Sequence, residues 1–290
     1  MKIRALKIAM TSAFALTSAY TMAAGFVPLP TTGFSVTGGT SAYRYCGDCD
    51  VSPASTITSP ISGYSIVASR TIALNLNDAA HTNNTNVRIG TLRNYLWRNT
   101  TTNMCIFGVR LSSLTGNDYD LNTPGIQIFQ VNDIAYGGFG AYNSSSNVNV
   151  AYYFTNSSTD FGAFRAGRTH TSVQYRQSAG YVDLPLTTSA PAASTPINGL
   201  TSYPYGTPTA AQQAAALSPN WVTFTSYQYS STISQEGTSL YYIEASCPSA
   251  TYTTTPLADV IKFRQTLTGD LIEIKAPGYV PGTGSSATTY

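Results

Sequence analysis

Apolar residues in this chain recur at every second position in short runs, not at every third or fourth. In Thr71-Ile72-Ala73-Leu74-Asn75-Leu76, the residues Ile72, Leu74 and Leu76 alternate with smaller or polar ones, which is the period of a half-buried strand. The same reading predicts strands at Ser65 to Ala68, Val87 to Trp97, Met104 to Leu111, Ile126 to Asn132 and Val148 to Thr155. It continues with Arg168 to Tyr175, Trp221 to Tyr229, Leu240 to Ala245, Val260 to Leu267 and Leu271 to Ile274. Most of these runs lie between clusters of Gly, Asn, Asp, Ser or Pro. That spacing predicts an all-β chain, mainly an antiparallel β-sandwich or a jelly-roll-like fold.

One segment departs from the pattern. Thr207 suits an N-cap, Pro208 the first helical turn, and the alanine-rich run behind them a helix, so one short helix is predicted near residues 208–217. The stretch 184–208 contains Pro185, Pro191, Pro196, Pro204 and Pro208, which forbids a central strand and predicts a surface crossover. Residues 24–63 are rich in Gly, Thr, Ser and Pro without a sustained period and read as an extended lead-in. Residues 64–290 then form a single β-rich domain.

The first residues change the picture of where the protein acts. Lys2, Arg4 and Lys7 precede an apolar stretch from Ile8 to Ala19, with small residues at Ala23 and Ala24, so residues 1–23 read as a secretory signal peptide. A stretch of twelve residues with Ser and Thr interleaved is too short to span a bilayer. The expectation is export through the inner membrane of a bacterium to the surface or the medium, with the periplasm as the other destination. Removing the signal leaves 12 basic against 13 acidic residues. No basic face remains for nucleic acid, and no transmembrane segment is expected in the mature chain.

Only 10% of residues are charged, against about 25% in an ordinary soluble domain, while tyrosines number 21. With 42% hydrophobic residues the chain is not of the disordered class. Four cysteines in an exported chain imply two disulfides, and of the three connectivities we favour Cys46 with Cys49 and Cys105 with Cys247. A redox role for Cys46-Gly47-Asp48-Cys49 needs a helix after the first thiol, and none is predicted. Neither His81 nor His170 stands at zinc-ligand spacing from a cysteine.

Candidate chemistry is sparse. A strand over Arg168 to Tyr175 would place Arg168, His170, Ser172, Gln174 and Arg176 on one polar face. We expect that face to be wet and treat it as a candidate ligand surface for an acidic polysaccharide. Asp118 and Asp120 form a weak calcium candidate in a loop, which a plain Asx turn explains equally well; no other metal or cofactor is expected. Tyr136, Phe139, Tyr142, Tyr203 and Tyr205 lie in Gly-rich or Pro-rich segments and are candidate aromatic contacts for sugar or protein. No hydrolase elbow, zinc-protease helix or phosphate loop is present.

These features point to a non-catalytic secreted or cell-surface protein with a structural, adhesion or extracellular-matrix role. Its expected partners are extracellular polysaccharide, another surface protein, or copies of itself. The rival readings are a carbohydrate-binding module and, further off, a polysaccharide lyase or hydrolase.

Overall fold

The structure is a computed structural model, and it describes residues 25–31, 43–45, 59–140, 148–153, 165–170, 217–229, 240–249, 253–265 and 272–282. Among the described residues twelve strands run in chain order. They are β1 (Val27–Leu29), β2 (Tyr43–Tyr45), β3 (Ser65–Leu76), β4 (Val87–Asn99), β5 (Met104–Ser112) and β6 (Gln130–Gly137). After these come β7 (Val148–Tyr153), β8 (Arg165–Gly167), β9 (Trp221–Tyr229), β10 (Leu240–Ser246), β11 (Leu257–Gln265) and β12 (Ile272–Gly278).

They form two six-stranded antiparallel sheets. The first has the order β1-β7-β10-β5-β4-β3 and the second β12-β11-β6-β9-β8-β2. The alternation read from the sequence explains the core between them. In β5, Cys105, Phe107, Val109 and Leu111 face the second sheet, which answers with Ile134 and Tyr136 of β6, Val222 and Phe224 of β9, and Ile261 and Phe263 of β11. This is the expected all-β sandwich. The predicted helix falls on residues outside those described, apart from Leu217, which makes an isolated bridge with Thr169. The crossover at 184–208 and the signal segment 1–23 also lie outside the described residues.

A polar clamp joins the two sheets inside the core. Asn94 of β4 donates to Gly108 O at 2.8 Å and to Tyr136 Oη at 3.2 Å, and its own Oδ1 accepts from Tyr279 N at 2.9 Å. Tyr136 Oη in turn donates to Tyr279 O. Each buried polar group thereby has a partner, which is the condition for tolerating it there.

Three boundaries differ from expectation for identifiable reasons. Two short strands come from within the lead-in: β1 pairs with β7, and Leu29 is fully buried. Three residues, one of them Pro28, are too few to show a period. β6 begins at Gln130, because Ile128 belongs to a loop closed by its bridge to Asp118, and it runs on to Gly137, past the predicted end at Asn132. Strand β8 ends at Gly167 where a run from Arg168 to Tyr175 was predicted.

Candidate functional site

The outer faces of both sheets, where solvated side chains are the norm, carry buried clusters. On the second sheet the register sets Glu273 of β12 opposite Arg264 of β11, and Arg264 opposite Asp133 of β6. Arg264 binds Glu273 through Nε at 2.9 Å and Asp133 through Nη1 at 3.1 Å. Lys262 adds a contact to Glu273 at 3.3 Å and lies over the Trp221 ring, 4.7 Å from its centroid. Two cations thus meet two anions in one ladder, buried at Asp133, Lys262 and Arg264 and half-buried at Glu273.

Titration behaviour follows from that geometry. Burial pushes the Lys262 ammonium down to about 8, against the upward pull of Glu273. Burial raises Glu273, but Arg264 and Lys262 outweigh it and hold the carboxyl below its ordinary range. Burial, with Arg264 and Lys262 nearby, lowers His170 to about 4, so its imidazole is neutral at physiological pH.

Arg168 and His170 require a correction. They are 0% and 3% exposed, so the expected wet face is dry at both residues. The period-two argument assumed a strand continuing past Gly167. Instead, three successive carbonyls are captured from the neighbourhood of the second sheet: Ser218 N donates to Arg168 O at 2.9 Å, Thr223 Oγ1 to Thr169 O at 2.7 Å, and Arg264 Nη2 to His170 O at 3.1 Å. Arg168 Nη2 donates to Pro219 O, and burial lowers the guanidinium to about 10, still charged at neutral pH. Ser172, Gln174 and Arg176 lie outside the described residues.

Comparison with known proteins gives no matching family model, no matching curated protein and no matching solved structure. Function must therefore be argued from the chain itself.

Tyr136 and Phe139, candidates for external contact, are core residues, 1% and 0% exposed. Phe139 packs edge-on against Phe107 at 5.4 Å and Tyr136 at 5.3 Å, because β6 carries its alternation to Tyr136 and delivers Phe139 into the core. Tyr142, Tyr203 and Tyr205 lie outside the described residues, as do Cys46 and Cys49. Cys105 and Cys247 are bonded, with Cα atoms 5.7 Å apart and 142 residues between them.

The acidic loop turns its oxygens on itself. Asp118 Oδ1 accepts from Asp120 N at 3.1 Å and Gln127 N at 3.0 Å, while Asp120 accepts from Thr123 Oγ1 at 2.6 Å and Asn122 N at 3.2 Å. The bonds from Asp120 N and Asn122 N are Asx-turn bonds, and the other two tie the loop together. Among the described residues no three His, Cys, Asp or Glu side chains converge, and no helix is long and apolar enough to cross a membrane.

The outer face of the first sheet is aromatic. Tyr95 and Trp97 stack at 5.3 Å, and Tyr242 meets Trp97 at 6.0 Å and Phe26 at 6.3 Å. Ile61 and Tyr64, both half-buried, pack against this cluster, and Tyr64 donates to Glu244 Oε1. Adjacent tyrosines therefore both find cover: Tyr241 in the central core, Tyr242 in the outer cluster.

Sequence reasoning overlooked the ladder residues Asp133, Lys262, Arg264 and Glu273. The signal was present in Val260-Ile261-Lys262-Phe263-Arg264, where two cations alternate with apolar residues, followed across a short connection by Ile272-Glu273-Ile274. Opposite charges at matching parity on hairpin strands are cross-strand partners.

Proposed function

We propose that this protein is an exported, non-catalytic structural component of a bacterial cell surface or extracellular matrix, with a role in adhesion. The observation that carries the reading is where its scarce charges go: Asp133, Lys262, Arg264 and Glu273 bind one another across the sheet, and Arg168 is turned inward. Groups of the kind that recognise a polar ligand hold the fold together. The Cys105–Cys247 bond supports export, since such links persist in oxidising compartments. A deletion strain tests the role. Loss of adhesion or matrix material, restored by the wild-type chain, is the expected result. Normal adhesion with loss of a polysaccharide-degrading activity from the medium would favour an enzyme instead. Secreted material beginning at Met1 would refute the signal peptide.

A further inference from the structure

Among the described strands the two sheets present four edges, and three are protected by their own composition. β1 and β2 are three residues each, and β1 contains Pro28. β12 carries Glu273, Lys275 and Pro277 within seven residues. Short length, charge and proline are the means by which natural sheets discourage edge-to-edge pairing.

β3 differs. It runs for 12 residues, contains no proline and one charge, Arg70, and pairs only with β4 among the described strands. Its register against β4 slips between Ile66 and Ala68 and again between Leu74 and Asn75, leaving a regular run over residues 68–74. Along that run Ser69, Thr71 and Ala73 are exposed, small and uncharged. Among the described residues, a regular strand with β4 on one side offers an open row of backbone donors and acceptors on the other.

We propose that this edge pairs antiparallel with the same edge of a second copy of the chain, joining two six-stranded sheets into one of twelve strands. The inference deepens the structural reading above and rests on it. The regular run has Thr71 at its centre, with a bulge at each end. An antiparallel pair about a two-fold axis through Thr71 is self-complementary. It sets Thr71 against the copy's Thr71, Ser69 against the copy's Ala73, Arg70 against the copy's Ile72 and Ala68 against the copy's Leu74. Small uncharged side chains meet on the exposed side, and the guanidinium groups do not stand directly opposite each other. A second copy meets this pattern by symmetry, whereas an unrelated peptide would have to match it by sequence. An acidic polymer finds one cation on the strand, Arg70.

The test uses the disulfide-intact mature protein in sedimentation equilibrium over a wide concentration range. Wild type should dimerise. Thr71→Lys and Thr71→Asp, each placing like charges on the axis, should raise the dimer dissociation constant more than about tenfold at low salt. An equimolar mixture of the two variants should recover the dimer, since only heterodimers then pair opposite charges. Thr71 is exposed, so both variants should keep the wild-type melting profile. A wild type that stays monomeric, a dimer indifferent to both substitutions, or a mixture that fails to recover overturns the proposal. None of these touches the structural reading, which the deletion strain decides separately.

Discussion

Arg264 of β11 and Asp133 of β6 stand directly opposite each other, Nη1 to Oδ1 at 3.1 Å, and neither side chain is more than 2% exposed. Breaking a buried pair typically costs about 3 to 5 kcal/mol, and although Glu273 still holds Arg264 when Asp133 is removed, the guanidinium loses the partner of its Nη1 in a dry site. Asp133→Ala should therefore lower the midpoint of urea unfolding sharply. The double variant Asp133→Leu with Arg264→Met should be less damaged than either single change, because no orphan charge remains. A double variant that loses as much as the two single variants together would show no coupling between Asp133 and Arg264 and would refute the bridge as a stabilising pair.

The same ladder governs acid sensitivity. His170 titrates at about 4 in the fold against 6.5 when free, because burial, Arg264 and Lys262 all disfavour the imidazolium. Between those values the unfolded chain takes up a proton that the native one refuses. Stability should fall as pH drops from 6.5 to 4, by about 3 kcal/mol for this group. Glu273, held below its ordinary range, adds a further loss at lower pH still, as its charge is neutralised. His170→Gln should flatten the curve between pH 6.5 and 4 in urea titrations. An unchanged slope would assign the acid sensitivity to other groups.

What the sequence made legible divides along physical lines. Strands whose apolar residues alternate over many positions, such as Trp221–Tyr229 and Met104–Ser112, can be read directly, because one buried face imposes period two. β1 and β2 could not, since three residues show no period and their pairing with distant strands decides them. Arg168 and His170 were misplaced because solvation was inferred from polarity. The sheet's outer face is dry here, so polarity there marks a hydrogen-bonded network. The aromatic outer face of the first sheet was hidden for the converse reason: Tyr241 and Tyr242 are both buried, one on each side.

The Cys105–Cys247 link fastens the start of β5 to the residue after β10, two strands that already pair in register. A cross-link closing 142 residues restricts the unfolded chain strongly, for an effect of about 4 to 5 kcal/mol on the chain-entropy model. The double variant Cys105→Ala with Cys247→Ala should lose a large part of that amount in reversible urea unfolding. A loss below about 1 kcal/mol would mean that the cross-link adds little beyond the β5–β10 pairing, against the range usual for native disulfides.

Gly108 of β5 sits between Tyr95 of β4 and Tyr242 of β10 in the cross-strand row, and the Trp97 ring lies across it. A Cβ at this position would stand 3.1 Å from Trp97 Cη2, a tight contact, and 2.7 Å from Cζ3, closer than real contacts allow. The indole has no easy retreat: it is 2% exposed, stacked on Tyr95 at 5.3 Å and tilted against Tyr242 at 6.0 Å. Gly108→Ala should therefore cost about 1 to 3 kcal/mol, the usual range for overpacking, and alter the near-ultraviolet circular dichroism of the aromatic cluster. Because the clash is with one ring, the effect should couple to that ring. In a Trp97→Leu background, already weakened by loss of the indole, the added methyl should cost less, with an interaction energy of at least about 0.5 kcal/mol. Strict additivity of the two changes, with an unaltered aromatic spectrum in Gly108→Ala, would mean that the sheet yields at β5 and that the glycine is not what seats Trp97.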